Sequence, residues 1–335
     1  MVAVNALASC RVLVTPATFG RGDAALKPDL EQAVAQVVYN PHARPLAAHE
    51  LIPLVADVDG WIAGLDRIDA EVIDAAPRLK VIARYGVGVD RVDVAAATRR
   101  WVAVTNTPGA NAAAVAEHTL ALMLALCRNL CRSDQAVRRG EWPRFDGVEL
   151  RGKVVGLVGF GAVGREAARR LQAFGCRVLA YDPFVAEETL RAHGVEPAAL
   201  NQLAAAADVV SLHAGYTPGN PAVVDAAFLA GMKPGAFLVN TARGELVDEG
   251  ALRRALEGGR LRGAALDCLR DEPPPADHPL VGLPQVVVTP HIAAHTEEAA
   301  AAMGRMALTA CLQVLAGGRA EHTVNPEVYA GGARA

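Results

Sequence analysis

The segment Gly159-Phe160-Gly161-Ala162-Val163-Gly164 has the glycine spacing that lets a backbone fold around a diphosphate. It follows the strand candidate KVVGLV and opens the helical run REAARRLQAFG. The first glycine permits a tight turn, the second lets N–H groups approach a pyrophosphate, and the third lets helix and strand pack closely. The start of the helix adds partial positive charge. The next strand candidate, Arg177–Tyr181, runs into Asp182, eighteen residues after Gly164. An acidic residue about 20 positions on accepts hydrogen bonds from the adenosine ribose hydroxyls. It also repels a 2′-phosphate, so the expected cofactor is NAD rather than NADP. A glycine-rich turn without a ligand is the alternative, disfavoured by strand, glycines, helix and acid standing in order.

Three further segments end at strand edges, where open α/β sheets bind ligands. They are Val239–Gly244, which carries Thr241, Ala242 and Arg243; Ala265–Asp267; and Thr289–His291. Glu272 follows Asp267 by five residues. Taken singly, each has a plainer reading. A His after Thr-Pro can be a capping or core residue, Glu272 a solvated loop acid, and Arg243 the partner of Glu245 on the surface.

The elements that would position these groups alternate along the chain. Short β-branched runs are strand candidates at 12–14, 60–63, 81–83, 103–106, 154–158, 177–181, 209–213, 236–240, 264–267 and 286–289, with Ala-rich helical stretches between most of them. This alternation predicts parallel sheets covered on both faces. One long helical stretch is expected from near Asn111 towards Gly140. It would place Cys127 and Cys131 on one helical face. Another is expected from Thr296, with Glu297 and Glu298 in its first turn. Both read as connections between two domains, with a central domain (107–295) inserted into one built from the chain ends (1–106 and 296–335). The closing AGGARA reads as frayed.

Composition sets limits. The chain has 335 residues, 52% of them hydrophobic and 21% charged, which excludes a disordered chain. The 33 basic and 36 acidic residues leave a net charge of −3, without the basic excess of a nucleic-acid binder. Aromatics at 4% also argue against a base-stacking platform. The six cysteines form no CxxC pair and read as core thiols of a reducing cytoplasm, with no metal site expected. The start lacks the basic segment of a targeting signal. No stretch approaches the roughly 20 apolar residues of a membrane helix.

Together GFGAVG, NTARGELVDEGAL, GAALDCLRDEPPPADHPL and TPHIAA resemble the D-isomer-specific 2-hydroxyacid dehydrogenase family, which includes phosphoglycerate dehydrogenases and hydroxypyruvate or glyoxylate reductases. The likeness continues in ARYGVGVDRVDVAAATRR, NTPGAN and VAEHTLALML and runs from about Val12 to Pro326. It stops short of the C-terminal regulatory domains of some phosphoglycerate dehydrogenases.

The resemblance implies an α/β protein of two Rossmann-like domains with parallel sheets. One is a flavodoxin-like substrate domain and the other an NAD-binding Rossmann domain. It implies a cytoplasmic, NAD-dependent oxidoreductase acting on a small D-2-hydroxy acid or its 2-oxo partner. A homodimer is expected, and the segment Ala112–Leu126 is apolar enough for helix burial or for a subunit interface. His291 would be the acid/base, Glu272 its partner, and Arg243 the clamp on the substrate carboxylate and 2-oxo group. Cofactor contacts are implied at Gly159, Phe160, Gly161, Ala162, Val163, Gly164, Asp182, His213, Thr241, Ala242, Arg243, Asp267 and His291. Asp267 is expected at the nicotinamide carboxamide. Substrate contacts are implied at Tyr85, Gly86, Val87, Gly88, Arg243 and His291, with closure of the two domains excluding water.

Some positions depart from the family pattern. Ala162 and Val163 stand where Arg and Ile are frequent, with Arg165 as a possible substitute. His213-Ala214-Gly215-Tyr216-Thr217 replaces H-x-P-x-T. Ala63-Gly64-Leu65-Asp66 carries an acid where many phosphoglycerate dehydrogenases carry Arg-Ser. This disfavours 3-phosphoglycerate, although Arg84 remains a possible anion ligand. Two other readings stand beside the dehydrogenase. One is an NAD-sensing corepressor on the same scaffold. The other is a formate-type dehydrogenase, which would carry Gln in place of Glu272.

Overall fold

A computed structural model describes residues 7–42 and 44–330. The first residues of the chain and most of AGGARA lie outside this range. Contacts divide the chain into two units, 1–111 with 295–335, and 112–294. The first boundary falls five residues later than expected. Asn106 N–H donates to His322 O and Thr107 N–H to Gly86 O, which ties this stretch to the first unit.

The first unit holds a parallel five-stranded sheet of β1 (Arg11–Val14), β2 (Gln36–Tyr39), β3 (Gly60–Ala63), β4 (Val81–Arg84) and β5 (Ala103–Thr105). Its order, β2-β1-β3-β4-β5, is the flavodoxin-like one. β3 and β4 are buried throughout, which explains their unbroken apolar runs. β2 was not expected. It is a half-buried edge strand whose three-residue apolar run is too short to stand out.

The second unit holds seven parallel strands: β6 (Val154–Val158), β7 (Arg177–Tyr181), β8 (Glu196–Pro197), β9 (Val209–Leu212), β10 (Ala236–Asn240), β11 (Leu261–Leu266) and β12 (Val286–Val288). Their order is β12-β11-β10-β9-β6-β7-β8. The chain direction across the sheet reverses between β6 and β9, the switch point where doubly wound sheets bind dinucleotides. Alternate residues feed two apolar layers. Val210, Leu238 and Ala264 pack in one, and Val209, Phe237, Val239 and Ala265 in the other. β8 also went unforeseen, being two residues long with a proline, which sheets tolerate at edges.

The helix Glu297–Leu315 begins as expected. Thr296 Oγ1 accepts from Ala299 N–H, and Glu297 and Glu298 occupy the first turn. The other long helix is corrected. It breaks into Ala112–Cys127 and Leu130–Arg138, bent by 63° at Asn129, whose φ is 52°. Asn tolerates this left-handed conformation better than most residues. Cys127 ends one helix and Cys131 lies in the next, so they do not share a face. No single helix among the described residues is long and apolar enough to cross a membrane.

Candidate active site

β6 runs directly into the glycine loop. Gly159 has φ 98°, and a Cβ there would meet the His213 carbonyl carbon and the Ala214 nitrogen at 2.6 Å. A Cβ on Gly164 would sit 2.5 Å from Gly159 O, so this glycine lets the helix Ala162–Ala173 close onto the loop. Gly161 differs, since a Cβ there meets nothing within 4 Å. The loop is therefore tight where it must turn and open where a ligand would lie. Ala162 and Val163 stand in the first turn of the helix, whose leading N–H groups have no helical acceptor.

Asp182 stands just past β7. Its Oδ2 accepts from Phe160 N–H at 2.8 Å and its Oδ1 from Phe184 N–H at 2.9 Å. Sequence reading missed this anchoring role. The Phe160 side chain is fully buried and its N–H is spent on Asp182, so its part in the loop is structural.

His213 lies just beyond β9, beside Gly159. One ring nitrogen, Nε2, lies 3.0 Å from Ser211 Oγ. The other, Nδ1, is buried and has no partner among the described residues. Burial lowers its pKa to about 4, so the ring is neutral near pH 7. An orphaned buried nitrogen beside an open glycine loop fits the outline of a dinucleotide.

β10 delivers Asn240 to Arg243. Asn240 is fully buried and folds this turn over itself: its Nδ2 donates to Arg243 O at 2.8 Å and its Oδ1 accepts from Ala242 N–H at 3.0 Å. Arg243 Nη1 donates to Ala242 O at 2.7 Å, and Thr241 Oγ1 lies 2.8 Å from Thr119 Oγ1. A Cβ on Gly244 would lie 2.0 Å from the Leu269 carbonyl carbon. This glycine brings the Arg243 turn against the segment that leads to Glu272. Neither Asn240 nor Gly244 was singled out from sequence. A polar residue closing an apolar strand run was the available signal.

His291 and Glu272 meet directly. His291 Nδ1 lies 2.9 Å from Glu272 Oε2 and 3.1 Å from Oε1. A carboxylate only accepts, so Nδ1 carries the hydrogen and Nε2 remains for chemistry. Glu272 Oε1 also accepts from Leu269 N–H at 3.2 Å. Both side chains are about one-fifth to one-quarter exposed, screened but reachable. Cys268 Sγ, Glu272 and His291 place donor atoms within 4.8 Å of one another, a set able to hold a metal. Burial and the neighbouring acids push the Cys268 thiol up, and it donates to Ala242 O at 3.4 Å, so as a thiol it is a poor metal ligand.

Asp267 is buried at the end of β11. Its Oδ1 accepts from Thr289 Oγ1 at 2.6 Å and Ile292 N–H at 2.9 Å, and its Oδ2 from Ala293 N–H at 2.9 Å. Burial alone would raise its pKa, but hydrogen bonds from His118, Thr289, Ile292 and Ala293 outweigh it and hold the carboxyl at about 2. The structure thus gives Asp267 to the turn around His291.

The first unit carries the other expected loop. Tyr85 is buried, its N–H donating to Ala63 O at 2.9 Å and its Oη to Ala300 O at 3.0 Å, so it anchors the loop. Gly86 has φ 149° and donates to Arg84 O. Val87 is 40% exposed, and beside it Gly88 completes the tip. Arg84 is buried beneath this loop, with Nη1 on Ala63 O and Tyr85 O. Asp66 turns inward, where it accepts from Thr15 Oγ1, Leu46 N–H and Gly64 N–H.

Residues 120–293 match the family model described as D-isomer specific 2-hydroxyacid dehydrogenase, NAD binding domain. A D-3-phosphoglycerate dehydrogenase of Archaeoglobus fulgidus is 47% identical over 235 residues, 70% of this chain and 45% of that protein. A glyoxylate reductase of Thermofilum pendens is 40% identical over 310 residues, 89% of this chain and 91% of that one. A solved Thermus thermophilus structure aligns with TM-score 0.82 and 40% identity, covering 94% of this chain and 99% of that one. The chain spans about half the length of the phosphoglycerate dehydrogenases it matches.

Proposed function

The chain belongs to the D-isomer-specific 2-hydroxyacid dehydrogenase family, and from that premise we propose that it transfers hydride between NAD(H) and a small D-2-hydroxy acid or its 2-oxo partner. The observation that carries this reading is the His291–Glu272 pair, 2.9 Å apart, in the unit that also holds the open glycine loop. Bound NADH supplies the hydride in reduction, and bound NAD takes it in oxidation.

The side chains do the rest. In reduction, imidazolium His291 gives its Nε2 proton to the 2-oxo oxygen while Glu272 stabilises the charged ring through Nδ1. In oxidation the neutral ring takes the hydroxyl proton at the same nitrogen. Arg243 holds the substrate carboxylate and polarises the 2-oxo group. The Val87–Gly88 tip has backbone N–H groups of the kind that bind a carboxylate. The first-turn amides at Ala162 and Val163 would hold the diphosphate, and Asp182 would accept from the ribose hydroxyls while keeping its two backbone bonds. His213 lends the cofactor wall a neutral ring. Thr241 and Ala242 line the same edge.

We propose an unphosphorylated substrate of the glyoxylate or hydroxypyruvate class. The segment Ala63–Asp66 offers a phosphate no cation, its one charged side chain being the inward-turned Asp66, and the Thermofilum relative, similar over nearly its whole length, is named a glyoxylate reductase. We also propose a cytoplasmic homodimer. Leu130 (62% exposed) and Val137 (49%) lie seven residues apart on one helical face, and Trp142 is 78% exposed. The helix Ala112–Cys127 is largely covered within its own unit, which supports the burial alternative for this segment.

The test is NADH and NADPH oxidation with glyoxylate, hydroxypyruvate, pyruvate and 3-phosphohydroxypyruvate. Turnover with the unphosphorylated acids and NADH is expected. Tight NADH binding without turnover on any of them would make the chain a sensor. Equal use of NADPH would contradict the role of Asp182.

A further inference from the structure

His291 occupies a backbone conformation that its side chain disfavours. Its φ is 54°, in the left-handed region that residues other than glycine rarely adopt. Something must hold it there. His291 N–H donates to Thr289 O at 3.0 Å and to Asp267 O at 2.9 Å, and the Asp267 carboxylate binds Thr289, Ile292 and Ala293. That carboxylate grips the chain on both sides of the histidine.

A further group reaches this grip from outside the turn. His118 lies in the helix Ala112–Cys127, an otherwise Ala- and Leu-rich element. Its Nε2 is 3.2 Å from Thr289 Oγ1 and 3.5 Å from Asp267 Oδ1. Thr289 spends its hydroxyl hydrogen on Asp267, so its oxygen accepts and His118 Nε2 donates. The next residue, Thr119, bonds to Thr241 in the Arg243 turn. One helical turn therefore fastens both strand-end loops that carry the reacting side chains.

We propose that His118 is a positioning residue for the reaction. Through Thr289 and Asp267 it holds the turn that aims His291 at Glu272. The chain of contacts is helix to Thr289, Thr289 to Asp267, Asp267 to Ile292 and Ala293, and so to the His291 backbone. Loss of the donor leaves Thr289 and Asp267 to hold each other alone. The turn then samples right-handed geometry at position 291, and the ring leaves Glu272. The donor is what matters, so a side chain that keeps an N–H at this reach should serve. This inference rests on His291 being the acid/base.

The experiment compares wild type, His118→Leu and His118→Gln by steady-state kinetics with glyoxylate and by hydrogen exchange of residues 289–293. For His118→Leu, kcat should fall about 10- to 100-fold, the scale of an error of about 1 Å in placing a reacting group. KM for NADH should stay near wild type, and the Ile292 and Ala293 amides should exchange faster. His118→Gln should recover most of kcat and the protection. Wild-type kcat and exchange in a folded His118→Leu would overturn the proposal. So would a Gln variant as impaired as Leu, since that would assign the position to packing. If His118→Leu does not fold, the Gln variant still decides, because it must keep both kcat and protection. A wild-type enzyme inactive on every 2-oxo acid would defeat the functional reading instead, while the exchange comparison would still report on the tether.

Discussion

At the scale of single residues, function rests on what each polar group has already spent. Glu272 offers its carboxylate to His291 Nδ1, which leaves Nε2 for proton transfer. Asp267 spends both oxygens on the turn around His291, and Asp182 ties down its glycine loop. These commitments separate groups that hold from groups that react. Glu272→Gln replaces an acceptor-only carboxylate with an amide that can also present a donor to Nδ1. On the proposed reading the ring loses its fixed orientation, so kcat with glyoxylate should fall while KM for NADH stays near wild type. Wild-type kcat in Glu272→Gln would show that the two side chains are uncoupled.

At the scale of elements, the switch point between β6 and β9 gathers the loops. Long strand runs, the glycine loop, Asp182 and the His291 segment were legible in sequence because each is a local pattern. What escaped was set by neighbours distant in sequence. β2 and β8 are edge strands whose short runs carry little signal. The break at Asn129 depends on one residue inside an otherwise continuous helical stretch. Tyr85 and Asp66 turned inward, where a strand-end loop had been read as facing substrate. Gly244 escaped for the same reason, because its neighbour at Leu269 is 25 residues away. Gly244→Ala forces a Cβ into that backbone. It should destabilise the protein by about 1–3 kcal/mol, as overpacking does, and raise KM for the 2-oxo acid through Arg243. Wild-type melting and KM would refute this packing argument.

At the scale of the whole molecule, there are two parallel α/β units. The first carries the Tyr85–Gly88 loop, and the second the glycine loop and the His291–Glu272 pair. The exposed apolar residues Leu130, Val137 and Trp142 call for a covering surface, proposed here as a second copy. Trp142→Asp should shift sedimentation from dimer to monomer, and a wild-type protein that sediments as a monomer would refute the dimer. The near-neutral net charge of −3 suits a small anion held by local donors rather than by a global field. In the proposed reaction His291 moves the proton that accompanies hydride transfer. The most direct test measures NADH oxidation with glyoxylate and NADH affinity side by side in wild type and His291→Ala. Turnover should drop by about 10²- to 10⁴-fold with NADH affinity nearly unchanged. Wild-type turnover in that variant would contradict it.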